Sequence, residues 1–152
     1  MILDNQTLLS DAQAVSSDGA STNTYDRGGT VRDASVGEPL GIFFSVDVAA
    51  DATTGDETYE FQVIQSANAD LSSPDIIGKL GFGGSSELVE TTLAAGYKFV
   101  LPIPAPLVSK RYLGAYYNVG GTSPSITVTA SILPLSMIQA ERVYADGFTI
   151  TS

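Results

Sequence analysis

The sequence predicts an all-β protein: a sandwich, a jelly roll or a barrel of about eight short antiparallel strands. Three observations lead there. Apolar residues recur with a period of two, turn-forming residues separate the apolar segments, and no convincing long helix is present. The chain has 152 residues, 43% of them hydrophobic, with no internal repeat or linker. We therefore expect one folded domain spanning residues 1–152.

The strand pattern is clearest in the middle of the chain. There Tyr59, Phe61 and Val63 fall on one face, with polar residues between them. Residues 126–132 alternate in the same way, and residues 41–49 begin with an apolar run that fits a central strand. The predicted strands, in chain order, are residues 11–15, 20–25, 41–49, 58–67, 76–82, 87–92, 97–103, 111–119 and 126–132.

Glycine-containing turns separate these segments. One of them, Gly120-Gly121-Thr122, stands between two strong strand signals. This spacing predicts a hairpin in which residues 111–119 pair with residues 126–132.

Both ends of the chain lie outside the strand pattern. An extended arm is one interpretation of residues 1–10, docked either on the same domain or on a neighbouring subunit. An arm docked between subunits could lose residues 1–9 with little change in thermal unfolding. In the C-terminal extension, residues 134–152, we expect a short helical turn at 136–143. Phe148 and Ile150 would add an edge strand or an anchor.

The composition argues against several partners. The formal net charge is −10, and the seven scattered Lys and Arg form no stripe for nucleic-acid phosphates. No apolar run approaches the roughly 18 residues of a spanning helix. Residues 1–6 lack the basic region of a secretory signal. We expect neither nucleic acid nor a membrane as a partner.

The chain also lacks the residues that most often carry catalysis. It contains no histidine and no cysteine, which removes the commonest general base and thiolate metal ligands. Glu87 and Glu90 lie three apart, on opposite faces of a strand, so they cannot form the facing pair of a glycosidase. We expect no enzyme and no catalytic, cofactor-binding or metal-binding residues.

Four acidic residues close together in the sequence are the remaining candidate for a metal site. Asp47, Asp51, Asp56 and Glu57 surround a loop rich in Thr and Gly, where calcium is conceivable. The spacing is not that of the twelve-residue calcium loop, so a solvated turn is the favoured interpretation.

Charge divides the chain unevenly. Residues 91–140 contain no acidic residue, whereas residues 1–57 contain ten. The acid-free span includes Leu101-Pro102-Ile103-Pro104-Ala105-Pro106-Leu107, followed by Lys110 and Arg111. Three prolines in five residues force an extended chain that cannot continue as a central strand. Two alternatives remain open: a loop across the domain's own core, or an exposed docking ridge.

A tyrosine group follows this segment. Tyr112 and Tyr116 share one face of the predicted strand, and Tyr117 lies on the other. Half-exposed tyrosines suit protein interfaces and sugar platforms, and core packing is equally ordinary.

Several segments resemble the capsid cement proteins of short-tailed bacteriophages. They are the opening Met1-Ile2-Leu3-Asp4, the following Gln13-Ala14, the Phe43-Phe44 strand, residues 97–104 and the closing Ala145-Asp146-Gly147-Phe148. The resemblance implies a jelly-roll-like antiparallel β-sandwich with N- and C-terminal extensions. It also implies a position on the outside of an icosahedral shell, where the protein bridges neighbouring major capsid proteins, often as a dimer.

The functional prediction is therefore a non-enzymatic cement, or decoration, protein on the outer capsid surface of a virion, made in the host cytoplasm. Its expected partners are the major capsid protein and itself, as a homodimer in preference to a trimer. The candidate interface residues are Ile2, Leu3, Leu101, Pro102, Ile103, Pro104, Pro106, Leu107, Lys110, Arg111, Tyr112 and Tyr116. The alternative is a carbohydrate-binding β-sandwich that uses Tyr112 and Tyr116, with a calcium ion at residues 51–57.

Overall fold

The protein is an antiparallel β-sandwich, in a computed structural model that describes residues 4–29 and 37–137. These residues form two sheets and two short 3-10 turns, at Glu90–Thr92 and Ala105–Leu107. The all-β prediction is confirmed. The strands are β1 Leu8–Val15, β2 Gly19–Ala20, β3 Tyr25–Asp26, β4 Leu40–Val48, β5 Thr58–Ser66, β6 Asp75–Phe82, β7 Lys98–Pro102, β8 Tyr112–Gly120 and β9 Ile126–Pro134.

The strand order is that of a jelly roll. The first sheet has the order β1-β9-β4-β7, and the second places β8 between β5 and the short strands β2 and β3, with β6 beyond β5. The antiparallel pairs are nested: β1 with β9, β2 and β3 with β8, β4 with β7, and β5 with β6. Successive pairs alternate between the two sheets, as a ribbon does when it is wound around a barrel.

Inward-facing residues of both sheets form one core. Phe44 of β4 stacks on Phe99 at 5.0 Å between ring centroids and meets Phe61 of β5 edge-on at 5.2 Å. Phe61 also meets Phe82 and Tyr117 edge-on, at 5.8 Å each. The predicted inward face of β5 is confirmed, because Tyr59, Phe61 and Val63 all belong to this core.

The predicted hairpin of residues 111–119 with 126–132 is wrong. Strand β8 pairs with β5 in the second sheet, and β9 pairs with β1 and β4 in the first, so the loop between them crosses the sandwich. The turn chemistry of Gly120 and Gly121 suits a sheet-to-sheet crossing as well as a hairpin. Both strands have an apolar face, and here the two faces meet across the core.

Two other predicted strands differ from the elements that the structure shows. Residues 87–92 do not form a strand: Leu88 makes one isolated bridge to Phe82, and Glu90–Thr92 is a 3-10 turn. Residues 20–25 split into two pieces, β2 and β3, which both pair with β8. Ser21, between them, still donates its backbone N–H to Ala115 at 2.8 Å.

Part of the predicted N-terminal arm belongs to the sandwich. Strand β1 begins at Leu8 and pairs with β9, and Leu9 and Ser10 are fully buried. Of the two alternatives for residues 1–10, docking on the same domain therefore holds for residues 8–10, because the first sheet and the core hold them. Residues 135–137 are helical, which agrees with the start of the turn expected at 136–143. The rest of that turn, the strand expected at Phe148 and Ile150, and residues 1–3 lie outside the described residues.

Candidate functional site

Charge separates the two ends of the sandwich. One end carries the loops of residues 16–18, 49–57, 83–97 and 121–125, joined by backbone hydrogen bonds such as Ala50 N to Leu93 O at 2.9 Å. These loops contain no Lys or Arg. We call this end the carboxylate end, after its acidic residues Asp18, Asp51, Asp56, Glu57, Glu87 and Glu90.

The carboxylates of this end stabilise its loops. Glu57 is fully buried, and its carboxylate accepts hydrogen bonds from the Thr54 hydroxyl, from Thr54 N at 3.1 Å and from Gly55 N at 2.9 Å. The Thr54 hydroxyl does most to hold the pKa of Glu57 below its usual value. Asp56 accepts hydrogen bonds from Thr122 N at 3.1 Å and from its hydroxyl at 2.9 Å.

These contacts correct the solvated-turn interpretation for Glu57. The carboxylate serves as an internal acceptor for the turn at Thr54 and Gly55. Across residues 4–29 and 37–137, no group of three acidic side chains is placed to hold a metal ion.

The opposite end is built around the proline segment. It carries the loops of residues 67–74 and 103–111 and the described part of 27–39. The backbone of Ile103 donates to Leu40 O at 2.9 Å, and the Arg27 guanidinium donates to Lys110 O at 2.7 Å. We call it the proline end.

The proline segment alternates between core and surface. Leu101 is 6% exposed and Ile103 is 3% exposed, and both pack in the main core. Placing these two side chains in a docking ridge was therefore wrong, because β7 continues its in-out alternation up to the turn. Pro102, Pro106 and Leu107 are exposed, and Pro104 is half-buried. Within this segment, the candidate docking surface is therefore limited to the exposed residues Pro102, Pro106 and Leu107.

A buried glutamine, which the sequence analysis did not single out, holds the proline segment in place. Gln65 of β5 is buried; its Nε2 donates to Leu107 O at 3.1 Å. Its Oε1 accepts from Ser109 N at 2.8 Å and from Lys110 N at 3.1 Å. One side chain thus satisfies three backbone groups at the end of the 3-10 turn and just after it, and it fixes the segment against the second sheet.

Lys110 and Arg111, the two basic residues of the predicted interface, are both paired within the domain. The Arg111 guanidinium makes a bidentate pair with Asp26 at 2.7 and 2.8 Å. The Lys110 ammonium lies 2.7 Å from an Asp75 carboxylate oxygen. The hydrogen bond from Arg111 lowers the pKa of Asp26 to about 2. The edge expected to present two positive charges is therefore largely neutral.

The two tyrosines have different surroundings. Both are half-buried on the outer face of the second sheet, as their spacing predicted. The Arg111 guanidinium lies over the Tyr112 ring, 5.0 Å from its centroid. Tyr116 instead lines a surface depression. Ile2 and Leu3, the remaining interface candidates, lie outside the described residues.

The family of the chain is shown by a match to a family model. The model named Bbp16 matches residues 9–132. The chain belongs to the Bbp16 family. This family is phage-associated, so the match fits a bacteriophage protein. A comparison with curated proteins gave no match.

The Bbp16 match coincides with the sandwich. It begins at the buried Leu9 of β1 and ends at the buried Ile132 of β9, so it includes both ends of the jelly roll. Within the described part of this Bbp16 protein, no helix is long and apolar enough to cross a bilayer.

Proposed function

We propose that this protein is a non-enzymatic cement protein of a tailed phage. It binds the outer surface of the capsid and stabilises the shell by bridging neighbouring major capsid proteins. Membership of the phage-associated Bbp16 family supports this proposal. The single observation that carries it further is the contrast between the largely neutral proline end and the carboxylate end.

The proline end has the properties of a docking surface. Its exposed Pro102, Pro106 and Leu107 present apolar area on a backbone that proline and the Gln65 hydrogen bonds already hold. Little conformational entropy is then lost on binding. The pairing of Lys110 with Asp75 and of Arg111 with Asp26 limits the charge that would have to be desolvated.

The carboxylate end suits the solvent side of the shell. Six acidic residues without a basic one in its loops would keep decorated particles from clumping. A contact of about 800 Å² on each partner is the usual size for a specific complex. Many copies on one lattice make a modest individual affinity sufficient.

Self-association belongs to the same proposal. A bridging protein needs two attachment points, and a homodimer supplies them by symmetry; a trimer would do so at a threefold position. Synthesis in the host cytoplasm and assembly onto the outer surface of the virion follow from this role. Sedimentation equilibrium of the purified protein distinguishes a dimer, a trimer and a monomer.

Co-sedimentation with expanded, undecorated capsids tests the proposal. The informative variant is Leu107→Asp, which places a charge in the proposed contact. Val89→Asp is its matched control: Leu107 and Val89 are both 56% exposed, but Val89 lies at the carboxylate end. Val89 also precedes a 3-10 turn, where Asp is a favoured residue.

We expect the unmodified protein and Val89→Asp to pellet with capsids, and Leu107→Asp to stay largely in the supernatant. A protein that fails to pellet at any salt concentration would exclude the cement role. Equal pelleting of the two variants would leave the role standing and exclude the proline end as the contact.

A further inference from the structure

The outer face of the second sheet contains two adjoining depressions that the docking proposal does not use. The larger, about 350 Å³, is lined by Asp18, Gln62, Pro74, Ile76, Tyr116 and Asn118. The smaller, about 290 Å³, lies along β5 and β6 towards the carboxylate end, and Asn118 lines it too. Both volumes lie near the lower limit for pockets that bind small ligands.

A network centred on Glu60 fixes the polar groups of this face. Its carboxylate accepts a hydrogen bond from Gln62 Nε2 at 2.6 Å and lies 3.3 Å from the Lys79 ammonium. The Asn118 side chain lies close enough to help Gln62 and Lys79 lower the pKa of Glu60. Glu60 and Lys79 offset each other's charge, and Asp18 is the one charged side chain among the six that line the larger depression.

Gln62 is the group that points to a ligand. It is only 5% exposed, yet it lines the larger depression. Its Nε2 is committed to Glu60, and no described residue donates a hydrogen bond to its Oε1. A nearly buried acceptor beside an open depression is satisfied by water or by a bound hydroxyl.

Apolar surfaces stand beside these acceptors. The half-buried Tyr116 ring lies next to the exposed Ile76 and Pro74. Asp18 adds a carboxylate, held by the backbone N–H of Val119 at 2.8 Å. An aromatic face beside amide and carboxylate acceptors matches a sugar ring, which has an apolar C–H face and hydroxyl groups around its edge.

We propose that this face binds a neutral oligosaccharide across the two depressions, with Tyr116 as the stacking platform. Gln62 Oε1 accepts hydrogen bonds from its hydroxyl groups, and the Asn118 amide, which lines both depressions, makes further hydrogen bonds to them. Tyr112 takes no part, because Arg111 already covers its ring. The loops of residues 51–57 do not contribute, so binding needs no calcium ion.

NMR of the isotope-labelled protein tests this proposal. The probes are glucose, galactose, N-acetylglucosamine and rhamnose, together with maltotetraose, cellotetraose and chitotetraose. We expect saturable shifts of the Gln62, Tyr116 and Asn118 amides with at least one probe family. The tetrasaccharide that binds should do so about tenfold more tightly than its monosaccharide, because it fills both subsites. A chelator should change nothing.

Two matched variants identify the platform. Tyr116→Ala should abolish the shifts, and Tyr112→Ala, four residues along on the same face, should retain them. No saturable shift at these amides with any of the seven probes overturns the proposal. So does a Tyr116→Ala protein that binds as well as the unmodified one. Because Tyr116 lies on the outer face of β8 and not in the exposed proline segment, Tyr116→Ala should still pellet with capsids.

Discussion

The buried hydrogen bond between Ser10 and Tyr117 allows a direct measurement of how firmly β1 is fixed. The two hydroxyl oxygens lie 2.7 Å apart, in opposite sheets. Ser10 Oγ also donates to Gln13 Oε1 at 2.6 Å, so its proton is already used and the Tyr117 hydroxyl must be the donor. Burial raises the pKa of Tyr117, which keeps that proton in place at any ordinary pH.

The expected magnitudes follow from which group each substitution leaves unpaired. Ser10→Ala leaves the Tyr117 hydroxyl buried without an acceptor and should cost about 1–3 kcal/mol. Tyr117→Phe removes only a donor, and Ser10 keeps its bond to Gln13, so about 0.5–1.5 kcal/mol is expected. The double variant should fall short of the sum by about 1 kcal/mol. For a chain of this size, each kcal/mol lowers the Tm by about 2–4 °C.

Urea unfolding of the four proteins, followed by circular dichroism, gives these free energies. Ser17→Ala, in the exposed loop after β1, is the control and should change stability by less than about 0.5 kcal/mol. If Ser10→Ala were as harmless as Ser17→Ala and the two substitutions were additive, β1 would not be docked on the second sheet. Deletion of residues 1–9, which removes the buried Leu9, should lower the Tm strongly, and an unchanged Tm would show that this segment does not belong to the core.

The remaining predictions concern single contacts. The Arg111 hydrogen bond lowers the pKa of Asp26 from 3.8 to about 2. The pair therefore stabilises the fold fully at pH values above the unfolded-state pKa, and this stabilisation is lost as the pH falls through about 2. Asp26→Asn should therefore flatten the dependence of the unfolding free energy on pH between about 4 and 2, and an unchanged slope would contradict it. Gly114→Ala should cost about 1–3 kcal/mol in urea unfolding, because a Cβ would lie 2.3 Å from Leu71 Cδ1. In a Leu71→Ala background, Gly114→Ala should cost less. If the destabilisations of the two single variants simply added in the double variant, the clash would be disproved. Gly121→Ala should cost more than about 1 kcal/mol, since its φ is +93° and a Cβ would lie 2.4 Å from a carbonyl oxygen; a Tm equal to that of the unmodified protein would refute this.

The sequence predicted the features that depend on the local alternation of apolar and polar residues. Apolar and polar residues alternate over residues 59–63 of β5 and 126–132 of β9, so the inward faces of these stretches could be assigned without knowledge of their partners. The alternation says nothing about which strand lies beside which. Gly120 and Gly121 allow a tight hairpin and a crossing between sheets equally, and only the packing of two apolar faces decides between them.

The docking candidate was predicted in outline and wrong in part. Leu101 and Ile103 continue the alternation of β7 into the proline segment, and this signal for burial was present in the sequence. The role of Gln65 could not be predicted, because its partners Leu107 and Ser109 lie more than forty residues further along the chain. The neutralisation of Arg111 could not be predicted either, because its partner Asp26 is 85 residues away in the sequence.

The position of β9 in the first sheet constrains how the protein is made. Among the described residues this is the last strand in chain order, yet it lies between β1 and β4 and pairs with both. Until it emerges from the ribosome, β1 has no neighbour in its sheet and β4 is paired on one side alone. The sandwich must therefore close after nearly all of it has been synthesised. A chain truncated before Ile126 would expose unpaired strand edges that favour aggregation.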